Sequence, residues 1–165
     1  MSPGDVVFLG AAAVAVFSTV LTISSANPVH ALLYLIVSLL AVAVIFFVMG
    51  APFAALLEVI VYAGAIMVLF VFVVMMLNLG DAVVEQERRW LAPRAWIGPA
   101  VLSLLLLLEL GFLMDQGGGA HPLAGEVDAK QVGIVLYGPY LLAVELASML
   151  LLAGLVAAYH LGRNE

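Results

Sequence analysis

The 165-residue chain has no cysteine, five lysines and arginines in all, and charged side chains at only 10% of its positions. The absence of cysteine excludes disulfides, thiol catalysis and thiolate-ligated metal or iron-sulfur centres on this chain. Five cations leave no basic footprint for nucleic acid. The three histidines, His30, His121 and His160, fall in separate segments with no metal-ligand spacing, and no glycine-rich phosphate loop follows a strand-like stretch. What the chain has is apolar surface: 66% of its residues are hydrophobic, more than a single water-soluble core of this length can hide. Long continuous apolar runs without strand-like alternation select membrane-spanning helices over a barrel.

A helix needs about 20 apolar residues to cross a bilayer. The runs predict an all-α integral membrane protein with five spans near residues 6–24, 29–49, 53–77, 96–114 and 137–161, forming one transmembrane domain over 1–165. The first run lacks a basic flank, with Asp5 as its only charge, and reads as a retained span. Asn27-Pro28 and Gly50-Ala51-Pro52 mark tight turns. The polar stretches 78–95 and 115–135 are the expected loops. The first of them mixes Asp81, Glu85, Glu87, Arg88 and Arg89 with Val83, Val84 and Trp90, a composition that also suits a short interfacial helix, with Trp90 and Trp96 as anchors. Arg88, Arg89, Arg94 and Arg163 fall on one side of a five-span topology and Lys130 alone on the other. The positive-inside rule then places loop 78–95 and the C-terminus in the cytoplasm and the N-terminus in the periplasm.

Three carboxylates interrupt the spans. Glu58 opens the third, and its α-helical face carries Ala54, Ala55, Tyr62 and Ala65 within about 60°, a small-residue face that suits close packing against other helices. An ionisable group at membrane depth costs about 3 kcal/mol or more on insertion scales, so it invites a functional reading. Glu58 and Tyr62 are candidates for a short segment of a proton wire, although Ile66 to Leu77 adds no ionisable side chain to continue it. Gly64, between two alanines, reads first as close packing and also admits a π-bulge or hinge. Glu145, deeper in the fifth span near Gly138 and Ser148, reads as a packed polar contact or as a proton relay. Glu109 lies about a turn and a half from Asp115, and snorkelling to the interface accounts for it. His30, in the first turn of the second span, reads as an interfacial histidine.

Three strings bring a family into view: Asn27-Pro-Val-His30-Ala-Leu-Leu-Tyr34; Leu57-Glu58-Val-Ile-Val-Tyr62-Ala-Gly64-Ala-Ile-Met-Val68 and its continuation to Asn78; and Gly138-Pro-Tyr-Leu-Leu-Ala-Val-Glu145-Leu-Ala-Ser-Met149. They resemble the subunit J family of bacterial NADH:quinone oxidoreductase, respiratory complex I. The resemblance implies five transmembrane helices in the proximal membrane arm of the inner (cytoplasmic) membrane. It implies as partners the other membrane subunits of complex I: the quinone-site subunit, subunits A and K, and the antiporter-like subunits. It also implies a non-redox subunit of a translocase, with NADH, FMN, iron-sulfur clusters and quinone held on other subunits. Family members carry a third helix that switches between α and π forms at the positions of Tyr62, Gly64 and Val68, and Glu58 matches the family's intramembrane glutamate. The expected function is to form and gate the proton and water path that couples quinone reduction to translocation. The alternatives are an assembly scaffold of the membrane arm, or the equivalent subunit of a related hydrogenase or antiporter complex.

Overall fold

The computed structural model describes residues 3–77, 93–115 and 127–162, and every regular element among them is helical. Contacts divide the chain into two compact units, Met1–Glu126 and Val127–Glu165. Apolar spans look alike along the chain, and only contacts sort them into units. The first unit contains α1 (Pro3–Ser24), α2 (Pro28–Val48), a third helix and α5 (Pro93–Asp115). The third helix has three segments: α3 (Pro52–Leu57), a π-helix (Glu58–Ile66) and α4 (Met67–Leu77). The second unit contains α6 (Ala129–Leu136) and α7 (Leu141–Gly162). Five of these stretches are long and apolar enough to cross a membrane: Pro3–Ser24, Pro28–Val48, Pro52–Val74, Trp96–Asp115 and Leu141–Gly162.

The turns follow from local chemistry. Asn27 caps α2: its Oδ1 accepts from Val29 N at 2.9 Å and His30 N at 3.3 Å, while Pro28 occupies a position where no amide hydrogen is needed. Asn27→Ala removes both bonds and is expected to cost about 1 kcal/mol, read as a lower thermal midpoint of the detergent-purified protein. At the other end of α2, Gly50 adopts φ 83°, which a Cβ would disfavour. Ala51 N donates to Phe46 O at 2.9 Å and Gly50 N to Phe47 O at 3.1 Å, the paired bonds of a Schellman stop. Pro52 then starts α3.

The core of the first unit is an α1–α2 hairpin with α5 laid against it. Ala11 and Ala41 are fully buried and let the backbones approach, with Val14, Val37 and Leu106 around them. A second cluster, Val7, Val48 and Leu113, joins the start of α1 to the ends of α2 and α5. Between the clusters and the Asn27 turn, the Thr19 and Ser38 hydroxyls lie 2.9 Å apart and both reach the Ala15 carbonyl, tying α1 to α2 where hydrocarbon supplies no partners.

Two boundaries differ from expectation. Residues 129–136 are helical, although most of them fall within the expected loop 115–135. The last span begins at Leu141, after a turn over 137–140, because Pro139 has no amide hydrogen and disfavours helical backbone at Gly138. Tyr140 N instead reaches back to Val135 O at 3.2 Å. The expected interfacial helix, Trp90, the charges of 81–89 and Arg163 lie outside the described residues.

Candidate functional site

The third helix starts as an ordinary α-helix at Pro52 and changes its hydrogen-bond register at Glu58. From Glu58 to Ile66 the turns are π, and Met67 N–H closes the segment on the carbonyls of Tyr62 and Gly64, the first of these five residues back. Gly64 makes this geometry cheap. A Cβ built on it would meet the Val59 carbonyl oxygen at 3.1 Å, because the wide turn brings the carbonyl five residues back against position 64. A side chain there would need that carbonyl to yield by a few tenths of an ångström.

The side chains show what the wide turn does to the packing. Before it, Ala55 is buried, and just after it Met67 is 2% exposed, so both ends of the segment are anchored in the unit. No residue from Glu58 to Ile66 is buried. Glu58 is half-buried, whereas Tyr62 is 51% and Val68 66% exposed. The small-residue face expected from α periodicity therefore splits: Ala54 and Ala55 pack inward and Ala65 is exposed, because the π turns re-phase everything downstream of Glu58. Glu58 and Tyr62 share the segment but are not hydrogen-bonded to each other among the described residues.

Beside α3 and the start of the π segment lies a cleft of about 470 Å³ between α2 and α5, bordered by Phe47, Ala55, Val59, Leu106 and Leu110. Ser103 is the one hydroxyl-bearing side chain on its walls. Such a surface holds no ordered water, which needs two or more polar partners. What the cleft provides is room for side chains of the third helix to re-pack.

The other singled-out residues lie elsewhere. His30 sits half-buried at the α2 N-terminus, its amide bound to Asn27. Glu145 belongs to the second unit, where it is exposed on α7 and its backbone carbonyl accepts from Ser148 Oγ at 2.8 Å. Glu109 is half-buried on α5, six residues before Asp115. Its carboxylate is turned against Gly10 of α1, where a Cβ would overlap Oε1, and its Oε2 is buried without a hydrogen-bond partner among the described residues. At the opposite end of α5, Gly98 leaves matching space for the Tyr34 hydroxyl of α2. Neither pairing has a sequence signal, since each joins helices far apart in the chain.

Comparison with known proteins places the chain among relatives. The family model described as NADH-ubiquinone/plastoquinone oxidoreductase chain 6 matches residues 18–161. The chain is 67% identical over 159 residues to the NADH-quinone oxidoreductase subunit J of Pseudomonas aeruginosa, covering 96% of each chain. It is 60% identical over 156 residues to the protein of that name from Escherichia coli K12, covering 92% of this chain and 83% of the other. To the corresponding protein of Buchnera aphidicola subsp. Schizaphis graminum it is 50% identical, over 98% of this chain and 99% of the other.

Proposed function

Because this chain belongs to the NADH-ubiquinone/plastoquinone oxidoreductase chain 6 family, we propose that it is a membrane-arm subunit of a proton-pumping NADH:quinone oxidoreductase, and that its third helix gates the water and proton path coupling quinone reduction to translocation. The observation that carries this reading is the π segment Glu58–Ile66 with Gly64 against the Val59 carbonyl. A π segment inside an α-helix differs from the α form by a register shift of one hydrogen bond per residue, so the two forms are discrete states and an event that favours one shifts the population. The apolar cleft next to Val59 supports the reading, because a register change rotates side chains and needs space to receive them. Glu58, at the first residue of the π segment, is the carboxylate whose surroundings such a rotation alters first. Tyr62, Gly64 and Val68 turn with it.

In this reading the chain moves protons and holds no redox centre. Flavin, iron-sulfur and quinone chemistry belong to neighbouring subunits, in keeping with a sequence that has no thiolate to ligate a cluster. Its partners are the quinone-site subunit, subunits A and K and the antiporter-like subunits. The C-terminus faces the cytoplasm, on the cationic side of the topology.

The assignment is tested by purifying the tagged chain from its native membranes in mild detergent and assaying NADH-dependent quinone reduction. Recovery in a large flavin- and iron-sulfur-containing assembly with that activity is the expected result. Recovery alone, or with hydrogenase or antiporter subunits and no NADH activity, would sink it.

A further inference from the structure

Glu109 presents a physical problem that the gate does not use. Its carboxyl group is pressed against α1 at Gly10, and its Oε2 is buried with no partner among the described residues. The cleft beside it, about 330 Å³, is lined by Val6, Val7, Leu105, Leu108 and Phe112, all apolar. A carboxylate in such a place needs hydrogen-bond donors, and an unpaired buried charge is among the most expensive things a membrane helix can carry. Gly10 sits well inside α1, so its bared backbone offers no free N–H groups. Among the described residues no donor reaches the buried Oε2, so the site disfavours the ionised carboxylate more than the neutral acid.

We propose that Glu109 is a proton-binding site, the neutral acid docking in the notch that Gly10 leaves in α1 and the ionised form leaving it for the membrane interface. Few charges surround it among the described residues. On α1 the one titratable side chain is Asp5, five residues before Gly10 and about 140° around the helix. On α5 the other charged residues are Asp115, exposed at the near helix end, and Arg94 in the first turn, 15 residues before Glu109. The end of α2 near this site, by Val48, has no titratable side chain, since His30 and Tyr34 lie at the opposite end. The α5 face that looks to the third helix, through Ser103, Leu107 and Leu110, is a different one, so Glu58 does not face the notch. Protonation of Glu109 therefore controls whether its carboxyl docks against α1, beside the apolar clusters that already join α1 to α5 and independently of the π segment.

The test uses the intact assembly. Native membranes at neutral pH are treated with dicyclohexylcarbodiimide, an apolar reagent for protonated carboxyls that the cleft can admit, and adducts are mapped by mass spectrometry. Infrared spectra of the purified assembly are compared between wild type, Glu109→Gln and Gly10→Val. The expected result is an adduct on Glu109 that is lost in Gly10→Val, and a carboxylic acid C=O stretch in wild type that is missing from both variants. If Glu109→Gln removes only carboxylate bands, or no acid band, the proposal fails whether or not the reagent reached the site. An adduct and acid band that both survive Gly10→Val would overturn the notch. Should Gly10→Val not assemble, the glutamine comparison still decides the protonation state.

Discussion

Gly64→Leu lowers NADH-driven proton translocation and quinone reduction together, by about tenfold, while the chain still assembles. Two effects act in the same direction. Leucine favours α-helix over glycine by about 0.8 kcal/mol, a preference that belongs to the α form. In the π form its Cβ meets the Val59 carbonyl, which stands 3.1 Å from the ideal Cβ position and must give way. Together they bias the third helix towards α by an amount on the order of 1.4 kcal/mol, which is a tenfold change in the ratio of the π to the α form. If turnover requires both forms, rate falls with the rarer one. Gly64→Ala meets the same carbonyl with a smaller side chain and takes an intermediate value. The measurement is NADH:quinone reductase activity in inverted membrane vesicles beside the quench of a pH-sensitive dye. A leucine variant that is fully active and fully pumping would remove the gate from this helix.

Glu58→Gln separates conduction from scaffolding. Glutamine keeps the volume of glutamate and its capacity to accept a hydrogen bond, but it exchanges no proton at physiological pH. Glu58 is half-buried at the first residue of the π segment and makes no hydrogen bond among the described residues, so no packing contact of its carboxylate is lost. The expected outcome is assembly at wild-type levels with proton translocation down about tenfold or more, below the range usual for losing a positioned proton-transfer group because water can bypass part of a wire. Quinone reduction falls in parallel if the coupling is tight. Normal pumping in this variant would mean that the carboxylate only satisfies a neighbouring helix, and the scaffold reading would take its place.

Much of this molecule is local, and what is local was legible in the chain. Five apolar runs became five helices long enough to span, because in a bilayer the backbone must satisfy itself within each segment. Asn27-Pro28 and Gly50-Ala51-Pro52 became turns because a side-chain cap, a missing amide hydrogen and a positive φ act over two or three residues. Gly64 pointed to a hinge for a like reason, since its lack of a Cβ matters to the carbonyl five residues back.

Tertiary structure decided the rest. Helical periodicity put Ala65 on one face with Glu58, and a nine-residue π segment turned it away, because a wider turn changes the phase of the residues after it. Glu109 read as a group reaching for water, and only the packing of α1 beside it brought its carboxyl against Gly10. The notch that receives its carboxyl is made by Gly10, 99 positions away, and a vacancy on one helix has no meaning until another helix is packed against it.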